Sequence, residues 1–206
     1  MPPAAAFAAI RLIPVPPAMT FTQSRGPMLA RQSSALDGYH YLVEDTAGRP
    51  VGEVLWPALA QARNARVRWH GQDGRGQGEV RIVCGTRDCR VSFEYLDRGW
   101  VNDVRYRLLD GTTTLAVAEM RFTPGKVSRG ELRLLEPLRA LLRPDGGWLR
   151  RRYVLLAEDG RELGRVEDRA WLMRVREMTL SLPSTLEAPV QLFVFFLACQ
   201  LLHTQA

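Results

Sequence analysis

Between residues 39 and about 182, apolar side chains return at every second position in short runs, and the runs are separated by clusters of Gly, Asp, Asn and Pro. A period of two places alternate side chains on one face of an extended chain, so the pattern predicts antiparallel strands joined by hairpins. Val80, Ile82 and Cys84 fall on one face of Glu79–Cys84, and Val91, Phe93 and Tyr95 share a face in Cys89–Tyr95. Further strands are expected at 39–44, 51–56, 65–69, 101–109, 115–122, 131–135, 149–157, 162–167, 171–176 and 178–182, about a dozen in all. Asp110-Gly111, Pro124-Gly125, Asp145-Gly146-Gly147 and Asp159-Gly160 supply turn residues that tolerate positive φ. Short helices are expected only at 57–64 and 137–142.

The pattern changes near the C-terminus. Val190 to Leu202 is apolar apart from Gln191 and Gln200, and as a helix its thirteen residues would reach about 20 Å, short of the ~30 Å hydrocarbon layer of a bilayer. No basic residues flank it as interfacial anchors, so a membrane span is not expected. A helix apolar around its whole circumference must be enclosed by something, and a curved sheet is the natural enclosure. Ser184-Thr185-Leu186-Glu187 fits a capping box at its start, with Pro189 tolerated if the main helix begins near it.

The first 35 residues lack either period. Ala and Pro dominate Met1 to Pro17, and Arg11, Pro14, Pro16 and Pro17 interrupt any signal-peptide core, so a disordered leader is expected before one domain over 36–206. Met19 and Met28 are alternative starts. Cys84, Cys89 and Cys199 cannot close a set of disulfides, which fits a reducing, cytoplasmic setting.

One stretch is echoed. Tyr41 to Val54 aligns without gaps on Tyr153 to Val166, with identity at five positions: the tyrosine, Gly48 with Gly160, Arg49 with Arg161, Gly52 with Gly164, and Val54 with Val166. Each copy reads as a hairpin whose second glycine permits a bend or a close backbone approach.

The dozen short strands, the Tyr-x-Leu/Val-x-x-x-x-Gly-Arg-x-x-Gly-x-Val hairpin and the terminal apolar helix together resemble the tubby C-terminal-like superfamily in its LURP-one-related branch, which also includes the phospholipid scramblases. The resemblance spans roughly 36–203. It implies an all-β domain, a closed antiparallel barrel of about twelve strands with the C-terminal helix through its centre. It implies less about chemistry. No pair of basic residues matches the phosphoinositide-binding side chains of tubby domains. The stretch ahead of the helix holds only Glu177 and Glu187, too few oxygen ligands for the calcium segment of scramblase-like proteins.

Composition adds charge and removes catalysis. His40, His70 and His203 stand apart from any patterned Cys, Asp or Glu, so no zinc-type metal site, no cofactor and no catalytic constellation is expected. Gly71 to Gly78 lacks the lysine and helix of a phosphate loop and reads as a hairpin loop. The net charge of +6 is almost wholly arginine. Trp148 with Arg150, Arg151 and Arg152 is the candidate contact for an anion or lipid head group, since arginine grips phosphate and tryptophan favours an interface. In a strand, Arg150 and Arg152 would share one face and Arg151 the other. Arg63, Arg66 and Arg68 form a second patch. The leading expectation is a non-enzymatic domain that binds lipid head groups or docks peripherally at an anionic membrane surface. A protein-interaction or structural module and a hydrolase built on dispersed acids stand as alternatives. Nucleic acid is disfavoured, because aromatics are not interleaved with the arginines in a recognisable motif.

Overall fold

The computed structural model describes residues 26–33, 40–56, 80–96, 103–121, 131–146, 151–168 and 176–204. Twelve antiparallel strands follow one another round a closed ring: β1 (Met28–Gln32), β2 (His40–Asp45), β3 (Pro50–Leu55), β4 (Val80–Cys84), β5 (Arg87–Tyr95), β6 (Val104–Asp110), β7 (Thr113–Arg121), β8 (Glu131–Glu136), β9 (Ala140–Pro144), β10 (Arg152–Ala157), β11 (Glu162–Asp168) and β12 (Glu177–Ser181). Each strand pairs with its neighbours in sequence, and β1 closes the ring on β12 with Met28 opposite Leu180 and Ala30 opposite Met178. The helix α1 (Ala188–Thr204) follows β12 and supplies the centre of the core.

Ring size explains the helix. A barrel of about eight strands is filled by its own inward side chains, whereas twelve leave a bore that must be occupied. Every described side chain of α1 from Val190 to Leu202 is buried, glutamines included. Tyr41 of β2 meets Phe195 edge-to-face with ring centroids 5.1 Å apart, and Tyr106 of β6 meets Phe196 at 5.8 Å. Trp56, just after β3, tilts against Phe196 at 5.5 Å. Gln191 is accommodated by donating its side-chain N–H to the Leu186 carbonyl at 2.8 Å.

The wall facing the helix carries small residues where the backbone comes close. A Cβ on Gly52 would stand 2.5 Å from the Val83 carbonyl oxygen and 2.8 Å from Leu192 Cδ1 of the helix. One on Gly164 would stand 2.5 Å from the Ser181 carbonyl oxygen. The echoed hairpins are thus structural equivalents. Tyr41 faces Val54 and Val43 faces Gly52 with a register shift after Val43; Tyr153 faces Val166 and Leu155 faces Gly164 with a shift after Leu155. A third copy lies between β6 and β7, where Tyr106 faces Ala118, Leu108 faces Ala116, and the shift follows Leu108. The three hairpins recur every four strands round the ring and point Tyr41, Tyr106 and Tyr153 inward.

Three expectations are revised. Met28–Gln32, assigned to the leader, is β1, with Met28, Ala30 and the polar Gln32 all buried. Residues 137–142 are not helical: they form a turn and the start of β9, where Ala140 and Leu142 point inward. The capping box is replaced by a turn at 184–186, and the helix starts at Ala188, so that Pro189 sits in the first turn where no backbone donor is lost. Glu187 sits at the cap, its carbonyl accepting from Val190 and Gln191 at 3.0 Å, while its carboxylate turns to Arg87. The strands expected at 65–69 and 171–176 and the helix at 57–64 lie outside the described residues, except for Arg176, which precedes β12.

Candidate functional site

An up-and-down ring sorts its connections by length onto two rims. Five tight turns, with Gly48, Gly85, Gly111 and Gly160 at positive φ, join β2–β3, β4–β5, β6–β7, β8–β9 and β10–β11 at one rim, where the chain also enters α1. The six longer connections, β1–β2, β3–β4, β5–β6, β7–β8, β9–β10 and β11–β12, start and end at the other rim, where α1 finishes. These are the turn rim and the loop rim.

Charge is distributed between wall and rim very unevenly. The described segments contain sixteen arginines and eighteen acidic residues, a slight negative excess, and on the outer face these charges pair across strands. Arg31 bridges Glu44 and Glu177 at 3.3 and 3.2 Å. Arg105 and Arg121 hold Glu119 at 2.7 and 3.3 Å, and Arg81 pairs with Asp88. The Arg105 guanidinium, with help from Arg121, holds the Glu119 carboxyl below its ordinary range against the opposing effect of burial. His40 Nε2 lies 3.0 Å from Glu53 Oε2.

The six connecting segments at the loop rim (34–39, 57–79, 97–102, 122–130, 147–150 and 169–175) contain ten basic and four acidic residues, an excess of six. They also contain Trp69, Trp100, Trp148 and Trp171, four of the five tryptophans in the chain. The stretches of sequence that leave from and return to this rim therefore carry both the net charge and most of the tryptophan of the chain. Arg63, Arg66 and Arg68 belong to one of these segments.

Trp148 and Arg150 lie outside the described residues, in the sequence between β9 and β10. Arg152 is on the outer wall, engaged by Glu162 at 3.2 Å and by Asp145 and Glu167 at 3.5 Å. Its positive charge is already answered. Arg151 is half-buried, and its carbonyl accepts the Asp168 N–H at 2.9 Å. Strand parity puts it on the face of inward-pointing Tyr153, one pleat nearer the rim. The same parity brings Asp168 above Val166, Arg176 above Met178 and Gln32 above Ala30, a polar ring over the end of the apolar bore.

Neither a family model, nor a curated protein, nor a solved structure matches this chain. The rim must be read from its own chemistry.

Arg151 and Arg176 stand where α1 ends, and positive side chains are favoured at the carboxyl end of a helix. The Nη1 of Arg176 is buried and finds no hydrogen-bond acceptor among the described residues, whereas its backbone exchanges hydrogen bonds with Gln32 at 3.0 and 3.4 Å. Burial pushes the Cys199 thiol well above its ordinary value, with Arg176 opposing that rise. Burial likewise raises the Tyr153 phenol, against Arg151 and Arg176. These groups stay protonated at neutral pH and offer no nucleophile.

Among the described residues, no cluster of three or more His, Cys, Asp or Glu could hold a metal ion. Among them, too, no helix is long and apolar enough to cross a membrane. Sequence reasoning singled out Trp148 and Arg150 but not Trp69 and Trp171, because these are remote in sequence and only the order of strands shows that their connections start from the same rim.

Proposed function

We propose that this protein is a non-enzymatic, tubby-like barrel of the LURP-one-related kind that docks reversibly on anionic membrane surfaces through its loop rim. The observation that carries the reading is the segregation of charge and tryptophan: a charge-balanced wall, and connections at one rim with six excess positive charges and four tryptophans. Basic residues near an anionic bilayer contribute about 1 kcal/mol each, and tryptophan settles at the headgroup level. The ring of twelve strands round a C-terminal helix is the architecture that such kinship entails. The bore is taken up by α1, so the support for lipid contact lies outside the barrel, at the rim.

Co-sedimentation with vesicles tests this. Partition onto phosphatidylcholine vesicles containing phosphatidylserine, absent on pure phosphatidylcholine, weakened by salt and reduced in Arg150→Glu, is the expected result. Equal partition onto both vesicle types, or binding to single-stranded RNA with none to anionic vesicles, would overturn the reading.

A further inference from the structure

The outer wall leaves two charges unanswered. Among the described residues on that face, every charged side chain is engaged by a neighbour except Glu136 of β8 and Arg143 of β9. Both are exposed, they are opposite in sign, and they belong to one hairpin. Strand parity places them outside: Glu136 lies opposite Val117, which alternates with inward Ala116 and Ala118, and Arg143 follows inward Leu142. They cannot meet each other. Glu136 ends β8 at the turn rim, whereas Arg143 lies toward the far end of β9, so about 15 Å of strand separates them.

Between the two charges the wall is aliphatic. Leu141 of β9 faces Leu156 of β10 directly, with Leu135 of β8 and Val117 of β7 on the same outer surface. All four are half-buried, and none belongs to the core around α1. On the opposite side of the ring an outward aliphatic side chain is set between charged or ionisable ones: Leu42 between Arg31 and Glu53, Leu55 between His40 and Arg81, and Val83 between Glu53 and Asp88.

We infer that the outer face of β7–β10 is the contact surface between two copies of this chain, joined about a two-fold axis that runs across the strands along the Leu141–Leu156 row. In such a contact a group on one side of the axis meets whatever lies equally far on the other side in the second copy. Glu136 and Arg143 flank that row, so Glu136 of each copy comes to Arg143 of the other, and the pairing is made twice. Leu141 and Leu156 meet their own symmetry mates at the axis. The choice of a second copy over an unrelated protein follows from this self-complementarity: one surface supplies both halves of the ion pair. The charges stand at the edge of the patch, where they fix register and steer encounter. A small patch on a convex wall makes a weak, reversible dimer. The inference is independent of the membrane reading, because it rests on the wall and not on the loop rim.

Sedimentation velocity of the full chain over a range of concentrations should show a monomer–dimer equilibrium. Glu136→Arg and Arg143→Glu each bring like charges together twice and should raise the dissociation constant about tenfold or more, whereas the two changes combined should restore it. Both positions are exposed, and an unchanged circular dichroism spectrum checks that the variants fold. The three native cysteines are buried, so Leu141→Cys supplies a thiol at the axis that should give a disulfide-linked dimer with an added thiol oxidant. Val83→Cys, on the opposite side of the ring, should give none. A monomer at every concentration overturns the inference, as does a dimer that the single charge reversals leave unchanged. Loss in both single variants without recovery in the combined one overturns the two-fold pairing, and cross-linking at position 83 in place of 141 overturns the choice of face.

Discussion

Arg87 of β5 holds Glu187, the residue immediately ahead of α1, through Nη1 and Oε2 at 2.6 Å, while its Nε donates to Asp110 at 2.8 Å. One guanidinium thus fastens the mouth of the helix to the turn rim, and both carboxylates raise its affinity for the proton above the ordinary arginine value. The pairs are partly exposed, so their worth is modest. Arg87→Ala should lower stability by about 1 kcal/mol in urea unfolding at low salt, and by less in high salt where the pairs are screened. An unchanged midpoint at low salt would show that the tether is ornamental. The vesicle binding proposed for the opposite rim should not change.

The glycines that recur in the hairpins are irreplaceable for lack of space. Gly52→Ala would drive a methyl group into the Val83 carbonyl and Leu192 of the helix, and Gly164→Ala into the Ser181 carbonyl. Each should cost about 2–3 kcal/mol. Gly26→Ala meets nothing within 4 Å and should fall within about 0.5 kcal/mol of the parent protein. Thermal or denaturant unfolding of the three variants decides it, and equal effects at all three sites would refute the packing argument.

Those glycines also mark how far the sequence could be read. The copies at Gly52 and Gly164 were legible because the same side-chain types recur at the same spacing, and their close approaches are what the pattern promised. The third copy was hidden: Ala116 takes the glycine's place, and Gly111-Thr112 turns the chain in fewer residues. Likewise β1 escaped notice because Gln32 is polar yet points inward, breaking the alternation that identified β4 and β5. Leu138 to Leu142 mimics a helix by composition, and only pairing with β8 and β10 makes it extended. The barrel was legible because period-two runs and an all-apolar helix permit few arrangements. The rim was not, because which connections share an end depends on the order of strands.

Acid should loosen the barrel wall at Glu119. Its carboxyl titrates below its ordinary value of 4.5 in the folded chain, chiefly through hydrogen bonds from Arg105. A depressed folded value means that the stabilisation is complete above the unfolded value and disappears as pH falls through the folded one. Stability should therefore decline from about pH 5 downward, and Glu119→Gln should flatten that part of the profile while lowering stability at pH 7. A parallel profile for the variant would assign the acid sensitivity elsewhere. Asp45 acts in the same direction, its carboxylate accepting the Ala47 and Arg49 backbone N–H groups at 2.8 and 2.9 Å.

The thiols should be silent in the native protein. Burial pushes Cys84 up to about 12 and Cys89 up to about 11, and Cys199 lies at the centre of the core. Aromatic disulfide reagents at pH 8 should modify none of them until denaturant is added, then all three at one rate. A thiol that reacts before unfolding would reveal an opening of the barrel that the closed ring does not anticipate.

Removing helix rings should be costlier than any of these changes. Phe196 touches Tyr106, Trp56 and Phe193, and Phe196→Ala should destabilise by about 3–5 kcal/mol in denaturant unfolding. A loss under 1 kcal/mol would contradict a wall that closes on the helix.

The order in which the ribosome delivers this chain is the reverse of the order in which its centre is needed. All twelve strands emerge before α1 does, and the first must wait for the last to close the ring. A nascent chain that stops short of Ala188 has sheet to wrap and nothing to wrap it around. Folding of the barrel is therefore committed only once α1 has been made, and until then the inward faces of the strands must be kept from one another or from neighbours by other means.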